Sequence, residues 1–221
     1  SLANAEAAAA ESAVVDHVVA NAVGNVVGNV VGNVVVTVAA VEVLPVGPAQ
    51  QWIFSYFNEP YQWFGCSQQH YLPPLDLVRF ATAVNLLICQ FAELRTTFAK
   101  QPQGWTQQIA ASCPPLPLIQ HNTALTGEAL TRYIDALAQQ LAADLRYDQW
   151  PLCRFAVIEL ADGSHRILWV SHHLIADLVA GQVLATALWN LYQALPAGAT
   201  AVPADLLTTL PAPEPSRSYP A

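Results

Sequence analysis

Two apolar runs joined by a four-residue turn constrain this chain more than any other stretch. Leu152 to Leu160 and His165 to Ser171 are separated by Ala161-Asp162-Gly163-Ser164, and an Asp-Gly pair between such runs signals a β-hairpin. In the second arm Ile167-Leu168-Trp169-Val170 is apolar without interruption, the pattern of a strand buried on both faces. A helical pattern follows at Leu178, Val179, Val183, Leu184, Ala187, Leu188, Leu191 and Tyr192, and runs to about Leu195. The junction reads Ser171-His172-His173-Leu174-Ile175-Ala176-Asp177. Two adjacent histidines therefore sit where a strand ends and a helix begins. Catalytic groups favour such junctions, because the scaffold is rigid while the backbone is open. An imidazole also takes and returns a proton near neutral pH. A His-His pair at a strand end is, on its own, more often a surface or hydrogen-bonded structural pair, so the rest of the chain has to decide.

Upstream, the stripe Leu77, Phe80, Ala81, Val84, Leu87, Ile88 and Phe91 predicts a helix over Asp76 to Gln90, with Asp76 in its first turn after Pro73-Pro74. Ala49 to Phe57 carries Trp52, Ile53, Tyr56 and Phe57 at helical spacing, and residues 65–72 are strand-like. His70 in that stretch is expected to face solvent. Leu94 to Phe98 reads as a strand and pairs through Gln101 to Gly104 with Trp105 to Ala110. After the Pro-rich Cys113 to Pro117, the stripe Leu130, Tyr133, Ile134, Leu137, Leu141 and Leu145 predicts a helix over Gly127 to Leu145. Two or three long helices and about six strands, not strictly alternating, point to an α+β sandwich in which helices cover a mixed sheet.

Residues 1–40 differ. An Ala/Glu-rich stretch precedes three copies of a four-residue Val-Gly-Asn repeat ending at Asn33. Its glycines oppose a stable helix, so the segment reads as a low-complexity linker or a docking segment. Residues 41–200 have the composition of a folded unit, and the tail from Pro196 is rich in proline. A net charge of −8 removes the electrostatic basis for binding nucleic acid. No apolar run reaches the length of a membrane span. Cys66, Cys89, Cys113 and Cys153 show no metal-binding or redox spacing. They read as reduced thiols of a cytoplasmic protein, with a disulfide as the lesser alternative.

Four segments, in order, resemble the core motifs of the condensation domains of nonribosomal peptide synthetases, members of the chloramphenicol-acetyltransferase-like acyltransferases. The opening motif is matched by Leu44-Pro45-Val46-Gly47-Pro48-Ala49-Gln50-Gln51-Trp52-Ile53-Phe54, and the second by Leu94-Arg95-Thr96-Thr97-Phe98. Leu145 to Phe155, with Pro151-Leu152 after a short acidic stretch, is similar to a third. His172-His173-Leu174-Ile175-Ala176-Asp177 fits the HHxxxD signature. The resemblance covers about residues 42–221 and implies the N-terminal lobe of a two-lobed fold, a chloramphenicol-acetyltransferase-like two-layer sandwich. Residues 201–221 would begin the linker to a C-terminal lobe that this chain lacks.

The resemblance implies acyl transfer: a donor thioester on a carrier protein is attacked by the amine of a carrier-bound amino acid. His173 would be the catalytic imidazole, and His172 would hold the loop. Asp177 would turn away from the cleft to pair with Arg95. Phosphopantetheine would arrive on the donor and acceptor carrier proteins, with no metal or bound organic cofactor required. Alternatives are a carrier-binding module without catalysis and an epimerising or ester-forming relative with the same histidine. Trp52-Ile53-Phe54 of the opening motif, with Tyr61-Gln62-Trp63 nearby, also faintly resembles the epimerising branch. The sequence departs from the family at Gln90-Phe91-Ala92, where Arg-His-Glu is usual. It also departs at Leu178, where a glycine is usual and a branched side chain would narrow the pantetheine channel.

Overall fold

The computed structural model describes residues 42–57, 64–113 and 115–201. The expectations for residues 1–40, for Tyr61-Gln62-Trp63 and for the tail from Val202 onward lie outside them.

The predicted hairpin organises the fold. Strand β6 (Cys153–Leu160) turns back into β7 (His165–His172) and pairs with it antiparallel. The turn closes through Leu160 N–H to Ser164 O and Gly163 N–H to Leu160 O. Gly163 has φ 78°, a left-handed backbone that glycine takes without steric cost. The sheet continues outward to β2 (Phe64–Tyr71) beside β7 and to β5 (Leu118–Thr123) beside β6, giving the order β2-β7-β6-β5. β5 runs parallel to β6 and the other pairs are antiparallel, so the sheet is mixed as expected.

Both faces of β6 and β7 are buried, which explains their near-continuous apolar sequence. Phe155, Val157, Ile167 and Trp169 face one side, together with Phe80, Leu87, Leu184 and Leu188. The latter belong to helices α2 (Leu77–Gln90) and α4 (Leu178–Ala194), which pack on each other. Ala156, Ile158, Leu168 and Val170 face the other side and meet Leu130, Tyr133, Ile134 and Leu137 of α3 (Gly127–Ala143). The two-residue alternation of the strands thus divides one apolar run between two cores. His70 is exposed, as expected, and its Nε2 lies 3.2 Å from Ser164 Oγ.

A second sheet of order β1-β4-β3 lies alongside, built from β1 (Glu42–Pro45), β3 (Thr96–Gln101) and β4 (Gly104–Ile109). Helix α1 (Pro48–Tyr56) docks on it through Phe54, which stacks on Trp105 at 3.8 Å between ring centroids and meets Phe98 and Tyr147. Phe98 N–H donates to Tyr147 O, and Trp150 Nε1 donates to Leu94 O.

Three local expectations are corrected. Asp76 is not inside α2 but caps it, its carboxylate accepting from Arg79 N–H at 3.0 Å. Leu94 and Arg95 close a short 3-10 turn, Ala92–Arg95, and the strand begins at Thr96. Leu118–Thr123 is a strand that the sequence pattern did not announce.

Candidate active site

The histidine pair ends the central strand β7. His172 is its last residue and is 0% exposed. Its backbone N–H donates to Leu152 O at 2.9 Å, and its carbonyl accepts from Ile175 N–H at 3.1 Å. Its ring Nδ1 accepts from Leu174 N–H at 3.1 Å, which places the proton of a neutral ring on Nε2. Leu174, Ile175 and Ala176 are all buried in the core shared by α1, α2 and α4. The turn is therefore fixed from inside by apolar burial and by the buried imidazole.

His173 is half-buried. Its ring lies over Gly65 of β2, the residue paired with Ser171: a Cβ placed on Gly65 would stand 3.8 Å from both Cε1 and Nε2 of His173. A methyl group there would make ordinary van der Waals contact with the ring, so the bare glycine leaves that side of the imidazole open.

Gln50 supplies a further tie. Its Nε2 donates to Leu174 O at 3.2 Å, joining α1 to the histidine turn across 124 positions of sequence. The opening motif contained this glutamine, but no local pattern marked it as a partner of the turn. The link exists only once α1 is packed against the end of β7.

Asp177 caps α4. Its carboxylate accepts from Ala180 N–H at 2.7 Å, and its carbonyl accepts from Gly181 N–H. Arg95 is elsewhere and 2% exposed. Its Nε donates to Ile88 O at 3.2 Å and its Nη1 to Ala110 O. The ion pair expected between Arg95 and Asp177 is therefore corrected: among the described residues, neither is the other's partner. The physical reason is local. The carboxylate satisfies free N–H groups at a helix start, and the guanidinium satisfies a carbonyl in the last turn of α2, where a cation is favoured. Asp177→Ala should consequently cost about 1 kcal/mol, the usual value of a cap, and not the larger sum of a broken buried ion pair. Urea unfolding checks this, with Asp177→Asn retaining most of the stability.

Beside the histidine turn, α4 opens with Leu178, Val179 and Val183 at 80%, 71% and 55% exposure. Leu178, in the position usual for glycine, points its branched side chain to solvent at the first turn. These exposed apolar residues lie in the first turns of the helix that follows the histidine turn.

The decisive comparison is with family profiles. The profile of the condensation domain matches residues 40–205. The chain belongs to the condensation-domain family. This condensation-domain chain is 27% identical over 161 residues to a component of the linear gramicidin synthase of Brevibacillus parabrevis, covering 70% of the chain and 2% of that protein. It is 30% identical over 113 residues to malformin synthetase of Aspergillus sclerotiicarbonarius, covering 50% of the chain and 2% of that protein. The chain thus spans a few per cent of the length of the curated relatives it matches.

Among solved structures, the epimerization domain from the third module of tyrocidine synthetase B superposes with a TM-score of 0.62 at 18% identity, over 71% of this condensation-domain chain and 36% of that one. The starter condensation domain of rhizomide synthetase, in complex with C8-CoA, gives 0.59 at 15% identity, over 69% and 35%. These structures carry the fold, and both an epimerization and a condensation domain share it. Among the described residues no helix is long and apolar enough to cross a membrane.

Proposed function

We propose that this chain supplies the first half of an acyl-transfer site for amide formation in nonribosomal peptide synthesis. The observation that carries the reading is the unequal treatment of the two histidines: His172 is sealed and holds the turn, whereas His173 stands half-buried over a glycine at the strand end. In this reading a donor acyl group arrives as a thioester on one carrier protein and an amino acid on another, each on a phosphopantetheine arm. The His173 imidazole accepts a hydrogen bond or proton from the attacking amine, and the thiol leaves with its carrier. His172, Gln50 and the Asp177 cap keep the imidazole in place. Arg95 supports the scaffold behind the site. The site calls for no metal, and its only cofactor is the pantetheine that comes with the carriers.

The matched structures are each covered by little more than a third of their length, and the exposed Leu178, Val179 and Val183 adjoin the turn. Both observations support a second lobe that closes the cleft. Holding two reactants in attack geometry is worth about 7–11 kcal/mol in well-oriented systems, and one wall cannot hold both. The test is amide formation from loaded donor and acceptor carriers by the chain alone and by the chain mixed with a C-terminal lobe. Product only in the mixture is expected. Turnover by the chain alone would overturn the half-site reading, and carrier binding without product in the intact domain would favour a docking module.

A further inference from the structure

Cys89 and Cys113 stand 24 positions apart, with no spacing that suggests a pair, yet the fold brings them together. Cys89 lies in the last turn of α2 and is buried, while Cys113 lies on the way to β5 and is half-buried. The chain is pinned to α2 on either side of Cys113. Before it, Ala110 O accepts from the Arg95 guanidinium, which also holds Ile88 O, the carbonyl next to Cys89. Beyond it, Leu116 N–H donates to Asn85 Oδ1 at 2.8 Å. Asn85 and Cys89 are four residues apart and share one face of the helix. Between these two ties Cys113 is set beside the end of α2 that carries Cys89, close enough for each thiol to shift the other's acidity.

We propose that Cys89 and Cys113 are a thiol pair poised to close a disulfide that binds the end of α2 to the segment leading into β5. The chemistry is asymmetric in a way that suits exchange. The neighbouring Cys89 thiol holds the Cys113 thiol below its ordinary range against the opposing effect of burial, and the Arg95 charge adds to the lowering. The same contact, with burial, pushes Cys89 up. Cys113 is thus the more acidic and the more accessible of the two, which makes it the first nucleophile.

With a low-molecular-weight disulfide as oxidant, the Cys113 thiolate attacks one sulfur of the reagent. The S–S bond of the reagent breaks, one small thiolate leaves, and a mixed disulfide forms. Cys89 then attacks Cys113 Sγ as its thiolate and expels the second small thiol. The two cysteines lose two electrons and two protons, which the reagent takes up as two thiols. Cys66 and Cys153 serve as internal controls. Cys66 is exposed, whereas Cys153 is buried with its thiol pushed up to about 12 by desolvation.

The test uses the purified full chain incubated with oxidised glutathione, quenched with iodoacetamide and mapped by mass spectrometry without reduction. The expected result is a single intramolecular link between the peptides of Cys89 and Cys113, reversed by dithiothreitol. Cys66 should be found as a glutathione adduct or alkylated, and Cys153 unmodified until the chain is denatured. Cys113→Ser should abolish the link and leave Cys89 reduced, while Cys89→Ala should leave Cys113 as a stable glutathione adduct. A wild-type chain in which Cys113 stops at the glutathione adduct, or in which the link joins other cysteines or two chains, overturns the proposal.

Discussion

His173→Ala in the complete domain is expected to lower amide formation by about 10²–10⁴-fold, the usual contribution of a positioned proton-transfer group. The side chain is half-buried and lies beside the bare Gly65. The backbone around it is held by contacts that the mutation leaves alone: the His172 ring on Leu174 N–H, Gln50 on Leu174 O, and the buried Leu174-Ile175-Ala176. Stability should therefore change little, and the loss should fall on the rate at saturating carriers. Single-turnover kinetics with loaded carriers, paired with a thermal melt, separate the two effects. His172→Ala should do the reverse in part. It removes a fully buried ring and its hydrogen bond, so the melt should fall along with activity.

The second large effect is on folding. Arg95→Ala would leave Ile88 O and Ala110 O without their guanidinium donors and open a cavity beside α2. An unsatisfied buried polar group costs about 1–3 kcal/mol, and the cavity adds to it. Relief from desolvating the cation offsets part of this. The net loss should be on the order of 2–5 kcal/mol, which corresponds to a midpoint lowered by roughly 10 °C for a domain of this size. Arg95→Lys should not restore it, because an ammonium on a flexible stem cannot bridge two carbonyls as the planar fork does. A double-mutant cycle with Asp177→Ala gives the sharper reading. Since the two residues have separate partners, their costs should add to within about 0.5 kcal/mol, whereas a direct pair would show clear coupling.

Much of this was legible in the sequence, for identifiable reasons. The Asp162-Gly163 turn and the unbroken apolar runs around it define the central hairpin because turn chemistry and burial both act locally. The stripes of α2 and α3 follow from helical periodicity alone. The HHxxxD match located the turn but not the division between its histidines. That division comes from strand parity: His172 falls on the same side as Leu168 and Val170, which pack toward α3, and His173 does not. β5 was hidden because Leu118-Ile119-Gln120-His121-Asn122-Thr123 is mostly polar, and it becomes a strand by pairing with β6. The Arg95–Asp177 pairing failed because opposite charge is a weak guide when each group has backbone partners close by at a helix end. Gln50 and the Cys89–Cys113 contact were invisible for the complementary reason. Each joins segments distant in sequence, and only the packing of α1 and α2 brings them together.

The most direct measurement is to titrate the complete domain with diethyl pyrocarbonate, following modification of each histidine by peptide mass mapping and amide formation in parallel. The account predicts that activity falls in step with acylation of His173, that exposed His70 is modified without loss of activity, and that His172 stays protected until the domain unfolds. Full activity in a domain whose His173 is acylated, or inactivation that tracks His172 in a folded protein, would contradict it.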